Sequence, residues 1–311
     1  MVVYLIIFEK KGDTMRRDVE FQADGVTLCG WLYKPSKGKK PFPTVVMAHG
    51  FSGVKEMALD KYAESFVKKG LAVLVYDNRC LGKSGGKPRQ DIDPVMQMRD
   101  YRSAISFAQS QSECDAERIG IWGTSYTGGT VCAVASLDHR VKAVVSQVPF
   151  INGFQNVLQS SPLGEQHLLW EMIDEDRANR VAGKKPQYVK MCSLDPEEPH
   201  VLPGEDTYNY IHQFVDADPE CTWENRVTIR SLEYLLEYDV SGYMKQISPT
   251  PLLMIVAERD TLTPTDVALD HYAMVPGPKE LLILKGNHYG AYMEHFKKTS
   301  KAAAEWFAEH L

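Results

Sequence analysis

The sequence has no closely spaced cysteines, no long apolar run and no excess of basic residues. At least 18 residues separate any two of its six cysteines, which excludes CxxC pairs and zinc-finger spacing. Apolar runs stay short of the ~18 residues that span a bilayer. Lysine and arginine number 35 against 41 aspartate and glutamate, so the net charge of −6 disfavours nucleic-acid binding. These features predict a globular cytoplasmic protein with buried, reduced cysteines and no membrane segment.

The apolar N-terminal block Met1–Phe8 lacks the arrangement of a secretory signal. A signal peptide places basic residues before its apolar stretch, whereas Glu9, Lys10 and Lys11 follow this one. We interpret the block as an extra strand, a mobile extension or a misassigned start. In the last case Met15 is the alternative initiator.

Strand and helix patterns alternate through residues 1–150 and again through 251–311. A hairpin turn is predicted at Asp24-Gly25 and a helix start at Asp93-Pro94. Buried strands are predicted at 43–49, 71–76, 118–122, 141–148, 251–256 and 280–284. Helices are predicted at 57–69, from 94, at 126–137, from the cap Thr263-Pro264 to 274, and at 291–309. This alternation predicts an α/β fold with a doubly wound, mainly parallel sheet.

Residues 151–250 interrupt the alternation. They carry 17 acidic and 8 basic residues, a net charge of −9, whereas the rest of the chain carries +3. Short helices and loops are predicted here, because prolines recur at Pro196, Pro199, Pro203 and Pro219. A polar segment of this length is better explained as a lid than as a connection. We therefore predict a core formed by residues 1–150 and 251–311, with an inserted helical lid at 151–250.

A serine, Ser125, stands between the strand pattern at 118–122 and the helix pattern at 126–137. A sharp strand-to-helix turn lifts such a hydroxyl clear of the sheet, above the positive end of the helix. The usual motif is Gly-x-Ser-x-Gly, but Thr127 occupies the fifth position here and Gly128 follows it. The alternatives are an ordinary helix start or a phosphate-cradling loop. The preceding buried strand favours a nucleophile turn.

Two later residues match the partners that a nucleophilic serine needs, a base and a group that orients it. Asp260 follows the strand pattern at 251–256 and His288 follows the next one, which gives the expected order of serine, acid and histidine. Each residue alone could be structural, Asp260 as a helix cap and His288 as a C-terminal histidine. Together they predict a Ser125–His288–Asp260 triad. Asp266 is the reserve acid, although its spacing favours a helix cap.

An oxyanion hole requires two backbone N–H groups aimed at the developing negative charge. One donor is predicted at Tyr126, the residue after the nucleophile. The second is predicted at Phe51, in the loop that follows the strand at 43–49. His49 in the same loop is interpreted as a brace rather than a catalytic group.

On these residues the chain resembles an α/β-hydrolase over nearly its whole length. The Ser125-Tyr126 turn with its displaced Gly128 resembles the cocaine esterase and X-prolyl dipeptidyl peptidase group. The layout is also similar to dienelactone-hydrolase-like enzymes and to fungal polyketide transferases and hydrolases of secondary metabolism. The segment Asp77–Gly86 resembles the family loop D-x-R-G-x-G-x-S-x-G, with Cys80 in place of glycine. The resemblance implies that this loop is a structural brace.

Rival motifs do not fit. Leu81–Ser84 has the tail of a phosphate-binding P-loop, but the leading glycine would fall at Asp77. The HExxH signature of zinc hydrolases is missing, since Met293-Glu294-His295 lacks a second histidine at the required spacing. Cys80 is interpreted as a buried thiol rather than a nucleophile.

The predicted function is serine hydrolysis through an acyl-enzyme, without cofactor or metal. The predicted substrate is a small, neutral, hydrophobic ester, thioester or lactone, because a lid closing over Ser125 must present apolar surface to it. Acyl transfer or cyclisation by the same triad is the first alternative, and a catalytically silent binding protein is the second. Most apolar residues of the lid are expected to pack it onto the core, and some of them to face the pocket; the candidates are Leu168, Leu169, Trp170, Tyr208, Tyr210, Phe214 and Trp223.

Overall fold

The computed structural model describes residues 9–11, 14–160 and 166–311. The block Met1–Phe8 lies outside the described residues, so its interpretation stays a prediction. Met15, the alternative initiator, lies inside the second strand, where it pairs with Lys34.

The strands are β1 Glu9–Lys11, β2 Thr14–Ala23, β3 Val26–Pro35, β4 Phe42–Ala48, β5 Ala72–Tyr76, β6 Cys114–Thr124, β7 Val141–Gln147, β8 Tyr188–Val189, β9 Val227–Thr228, β10 Leu252–Ala257 and β11 Lys279–Leu284. The helices are α1 Leu59–Lys68, α2 Pro94–Ser110, α3 Tyr126–Leu137, α4 Gly153–Ser160, α5 Gln166–Val181, α6 Glu205–Val215, α7 Ile229–Glu237, α8 Thr265–Met274 and α9 Phe296–His310. Two 3₁₀ turns cover Ser241–Gln246 and His288–Ala291.

One sheet organises the fold, with the strand order β1-β2-β3-β5-β4-β6-β7-β10-β11. Strands β1 to β3 are antiparallel, and the strands from β5 to β11 in this order are all parallel to one another. Helices α2 and α3 cover one face of the sheet, and α1 and α9 cover the other. Successive residues of a strand point to opposite faces, so each strand supplies side chains to both apolar layers. Ile121, for example, packs on the side of α2 and α3, and Trp122 packs on the side of α1 and α9. The doubly wound, mainly parallel sheet is therefore confirmed.

Local signals account for several of these boundaries. Asp24 and Gly25 both adopt positive φ angles, of 43° and 78°, and join β2 to β3 with Ala23 paired to Val26. This is the turn that the Asp-Gly pair predicts. The Asp93 carboxylate accepts a hydrogen bond of 3.0 Å from the Met96 N–H and so caps α2 as predicted.

Two predicted helix starts were wrong. Helix α9 begins at Phe296 rather than at Ala291, because the preceding residues form a 3₁₀ turn capped by the Asn287 side chain. Thr263 does not cap α8, which begins at Thr265 without a side-chain cap. The Thr263 hydroxyl instead faces Asp260.

The segment between β7 and β10 contains α4 to α7 and the short β8–β9 pair. Its helices are not all short, since α5 has 16 residues and α6 has 11. The candidate lid residues Leu168 and Trp170 are largely exposed on α5, as is Phe154 on α4.

All six cysteines are free thiols. Cys80, Cys114, Cys132 and Cys192 are buried, and Cys29 and Cys221 are half-buried. Among the described residues, no helix is both long enough and apolar enough to cross a bilayer.

Candidate active site

Ser125 sits at the turn between β6 and α3 with a φ of 55°, in the left-handed region that serine rarely adopts. The turn is tight because a Cβ at Gly123 would lie 2.1 Å from the Thr127 carbonyl oxygen. A Cβ at Gly128 would lie 2.7 Å from the Gln147 carbonyl oxygen. Strained backbone of this kind is concentrated at functional sites.

The Thr127 side chain explains the departure from the usual Gly-x-Ser-x-Gly motif. Its hydroxyl accepts a hydrogen bond of 3.0 Å from the Thr124 N–H and donates one of 2.9 Å to the Ala48 carbonyl. These bonds tie the turn to the end of β4. Threonine at this position therefore secures the turn, while Gly128 allows α3 to approach the neighbouring strand.

His288 and Asp260 form a buried pair beyond the ends of β11 and β10. The histidine Nδ1 and the carboxylate Oδ2 lie 2.7 Å apart, and each residue is less than 8% exposed. Asp260 Oδ1 also accepts hydrogen bonds from the N–H groups of Leu262 and Thr263, at 3.0 and 2.8 Å. The Thr263 hydroxyl lies 2.9 Å from Oδ2. These contacts fix the direction of the carboxylate.

Asp266, the reserve acid, does not take this place. Its carboxylate accepts a hydrogen bond of 2.9 Å from the Val267 N–H, within the first turn of α8. Thr263 was missed as part of the site because a Thr-Pro pair before a helix ordinarily indicates a cap.

Ser125 and His288 both line a cavity of about 120 Å³. Within the described residues, no hydrogen bond joins the serine hydroxyl to the imidazole. Such bonds are often long in unliganded enzymes and tighten when substrate binds.

Phe51 and Tyr126 line the same cavity on either side of Ser125. The Tyr126 N–H opens α3, so it has no partner inside the helix. A Cβ at Gly50 would lie 3.1 Å from the Ser125 Cβ, which shows how closely the Phe51 loop passes the serine. The rings of Phe51 and Tyr126 meet edge to face at 5.9 Å. Both residues therefore line the cavity close to Ser125.

His49 braces this loop. Its Nδ1 lies 2.9 Å from the Gly50 carbonyl oxygen, and its Nε2 accepts a hydrogen bond of 3.1 Å from the Asn78 N–H. Burial lowers the pKa of this imidazole. With both ring nitrogens engaged by backbone, His49 is a structural histidine, as its position in the loop predicts.

The Asp77–Gly86 loop lies outside the cavity and is held by its own ion pairs. The fully buried Asp77 carboxylate contacts the Lys55 ammonium at 2.6 Å. Cys80, in the usual glycine position, adopts a φ of 67°, which accounts for the glycine preference there. Burial raises the pKa of its thiol to about 11, which disfavours a nucleophilic role.

Part of the cavity wall comes from the segment between β7 and β10. Of the candidates named from the sequence, Tyr210 and Trp223 line the cavity, whereas the others do not. No sequence signal distinguished the other wall residues within 151–250, which are Met191, Leu202, Ile211 and Leu235. Asp, Glu, Lys and Arg side chains are missing from the lining among the described residues.

Comparison with known proteins identifies the family of this chain. The family model for X-Pro dipeptidyl-peptidases (S15 family) matches residues 24–290. The thiohydrolase aneE of Aspergillus aculeatus is 32% identical over 279 residues, covering 88% of this chain and 86% of its own. The polyketide transferase af380 of Aspergillus fumigatus is 31% identical over 274 residues, covering 87% and 89%.

A solved structure shows the same fold. The crystal structure of the α/β-hydrolase GrgF from Penicillium sp. sh18 superposes with a TM-score of 0.80 at 28% identity. The match covers 95% of this chain and 98% of that one. With its fold and its hydrolase relatives in agreement, this chain is an α/β-hydrolase and belongs to the S15 family of X-Pro dipeptidyl-peptidases.

Proposed function

We propose that this protein is a serine hydrolase that cleaves an ester, thioester or lactone of a small, neutral, hydrophobic molecule. The observation that carries the proposal is the apolar cavity shared by the strained Ser125 and by His288, whose imidazole is paired with buried Asp260. A nucleophile, a base and a group that orients the base are the parts that acyl transfer needs.

The reaction has two stages. Ser125 Oγ attacks the acyl carbonyl carbon while His288 Nε2 accepts the hydroxyl proton, and the Phe51 and Tyr126 N–H groups stabilise the oxyanion. The intermediate collapses to an acyl-enzyme as His288 passes that proton to the leaving group. The leaving group is the alcohol of an ester, the thiol of a thioester or the ring oxygen of a lactone, which becomes a hydroxyl. Water then attacks the acyl carbon, and His288 moves its proton back to Ser125. Asp260 keeps Nδ1 protonated and stabilises the imidazolium throughout.

The substrate class follows from the lining. Tyr210, Trp223 and Ile211 face the cavity from the inserted segment, and Phe150 faces it from the core. A charged acyl group would lose its hydration here without an opposite charge in return, which costs several kcal/mol. This supports a neutral hydrophobic acyl group.

A second candidate is transfer of the same acyl group to an acceptor other than water, or its cyclisation. The apolar wall contributed by the insertion supports this, because exclusion of water protects an acyl-enzyme from hydrolysis. Relatives of both kinds exist, since one is named a thiohydrolase and another a polyketide transferase. Either role would suit secondary metabolism.

We further propose residues 151–250 as the lid, with residues 1–150 and 251–311 as the hydrolase core. The insertion contributes cavity wall but none of the three proposed catalytic side chains. The partner is a small-molecule substrate, and the reaction requires no cofactor or metal. Six free cysteines support a reducing, cytoplasmic location.

The proposal is tested by labelling with a fluorophosphonate and by p-nitrophenyl ester hydrolysis. Ser125→Ala should abolish both. Ser136→Ala is the matched control, because Ser136 is a half-buried serine of α3 bonded to the Cys132 and Tyr243 carbonyls. Labelling that survives in Ser125→Ala would overturn the assignment.

Hydrolysis and transfer are separated by adding alcohols and thiols to the ester assay. Release of free acid as the main product supports hydrolysis. Preferential formation of the new ester or thioester at millimolar acceptor would favour the transferase.

A further inference from the structure

One face of α6 rests on the turn that carries His288. The Asp206 carboxylate accepts a hydrogen bond of 2.9 Å from the Asn287 side-chain amide. One residue later, the Thr207 hydroxyl accepts a hydrogen bond of 3.0 Å from the Tyr289 phenol. The residues on both sides of His288 are therefore bonded to the start of α6.

The same face continues along the helix. The Tyr210 ring stacks on Tyr289, with centroids 4.6 Å apart, and also contacts Tyr292 at 5.2 Å. The Gln213 amide donates to the Met293 sulfur at 3.1 Å. Positions 206, 207, 210 and 213 lie on one side of a helix, so the whole side packs against residues 287–293.

The core also holds this turn. At its far end the Ala291 carbonyl accepts a hydrogen bond of 2.9 Å from the Tyr62 hydroxyl. At its near end the His288 imidazole pairs with the Asp260 carboxylate. Helix α6 adds the bonds to the side chains of the two residues that flank His288.

Helix α6 is at the same time a wall of the cavity, through Tyr210 and Ile211. A movement of the helix away from the cavity would break the bonds of Asn287 and Tyr289 on either side of the base. The position of the wall and the direction of the imidazole are thus mechanically connected.

We propose that Thr207 and Asp206 are positioning residues that hold His288 in its reactive direction, so that the base is set only when α6 covers the cavity. The inference rests on the proposed function, because it takes His288 as the base. The insertion then contributes to the acyl-transfer step as well as to substrate binding.

Thr207 is the stronger of the two contacts. It is fully buried, and its hydroxyl also donates to the Pro203 carbonyl at 2.7 Å, which orients it to accept from Tyr289. Asp206 is exposed at the surface, so water competes for its bond to Asn287.

The test measures the second-order rate of Ser125 labelling by a small fluorophosphonate, well below the melting temperature. The probe reaches the nucleophile without filling the cavity, so its rate reports the base rather than the fit of a substrate. Thr207→Val keeps the volume and removes the hydroxyl, and it should slow labelling and kcat about fivefold, the effect of one hydrogen bond. Thr207→Ser should restore both rates. Asp206→Ala should give a smaller loss.

Two matched controls separate positioning from general destabilisation. Thr44→Val removes a hydroxyl that is equally buried, bonded to the Phe42 carbonyl near the start of β4. Glu205→Ala removes a neighbouring charge from the first turn of α6. Both should label at the wild-type rate, even where the melting temperature falls.

The inference is overturned if Thr207→Val labels as fast as Thr44→Val, or if only KM changes. The proposed function has a separate test, because it fails when Ser125→Ala is still labelled. If the wild-type protein labels at Ser125 and Thr207→Val labels at the same rate, the positioning role is rejected and the proposed function stands.

Discussion

The parallel sheet and the segment between β7 and β10 are built in different ways. Strands β5 and β10 are buried along their whole length and consist almost entirely of apolar side chains. In the insertion, α5 and α7 are joined at their surface by a network in which Arg177 and Arg180 both contact Glu233. The sheet is thus held together by apolar packing, whereas ion pairs at the surface join the helices of the insertion.

The two regions also contribute different residues to the candidate site. Ser125, Asp260 and His288 all follow strands of the sheet, at the edge where ligands bind in open α/β folds. The wall residues Tyr210 and Trp223 belong to the insertion. Changes to the core should therefore alter the chemistry or the stability, and changes to the wall residues of the insertion should mainly alter selection of the substrate.

After the loss of the nucleophile itself, the largest effect is expected from Asp260→Asn, which keeps the shape of the side chain. The amide no longer fixes the tautomer of His288 or stabilises its charged form, so kcat should fall on the order of 10⁴-fold. Steady-state ester hydrolysis measures this. Asp266→Asn is the control and should retain wild-type kcat; a comparable loss there would instead identify Asp266 as the acid.

A pair of isoleucine truncations compares the two regions directly. Ile121→Ala empties a fully buried site in β6 and should reduce the free energy of unfolding by about 3 kcal/mol, with KM unchanged. Ile211→Ala should cost less, because its cluster includes half-buried neighbours that can relax, and should raise KM. Urea unfolding and ester kinetics measure both. A larger stability loss at Ile211 would erase the proposed distinction.

The charge of the substrate tests the apolar lining that the insertion contributes to the cavity. p-Nitrophenyl butyrate should exceed p-nitrophenyl hemisuccinate in kcat/KM by at least about tenfold, because the described part of the lining offers the carboxylate no Lys or Arg side chain. Added salt should reduce this difference only slightly, since screening acts mainly on exposed charges. Preference for the anionic ester, or for X-Pro anilides, would contradict the proposed substrate class.

The smallest effect is expected at the outer edge of the sheet. A chain that begins at Met15 loses β1, whose one partner in the described part of the chain is β2, and should still fold and label at Ser125. Its melting temperature should fall by a few degrees at most. A large drop would show that the residues before Met15 contribute substantially to the fold.

The sequence predicted the core well because its signals there are local. Apolar runs, the Asp24-Gly25 turn and the Asp93-Pro94 cap each act within a few residues. Ser125, Asp260 and His288 could then be placed on the fold, because each of them directly follows a predicted strand.

The insertion was harder to predict because its structure depends on contacts with the core. Thr207 and Tyr289 are 82 residues apart in sequence, and nothing in either local pattern indicates their bond. Thr263 was missed for a similar reason. Its position before Pro264 predicted a helix cap, whereas its hydroxyl lies within hydrogen-bond distance of the Asp260 carboxylate. Contacts of this kind are set by packing, which a pattern of single residues does not encode.

The burial of the cysteines gives the protein an internal reporter of its own unfolding. Burial raises the thiol pKa to about 11 for Cys114 and to about 12 for Cys132, so these groups are almost wholly protonated near neutral pH. Thiolates are the form that reacts with maleimides, and burial also blocks access of the reagent. In purified protein, a maleimide would consequently time the opening of the sheet core through the slow labelling of Cys114 and Cys132, after the faster labelling of half-buried Cys29 and Cys221.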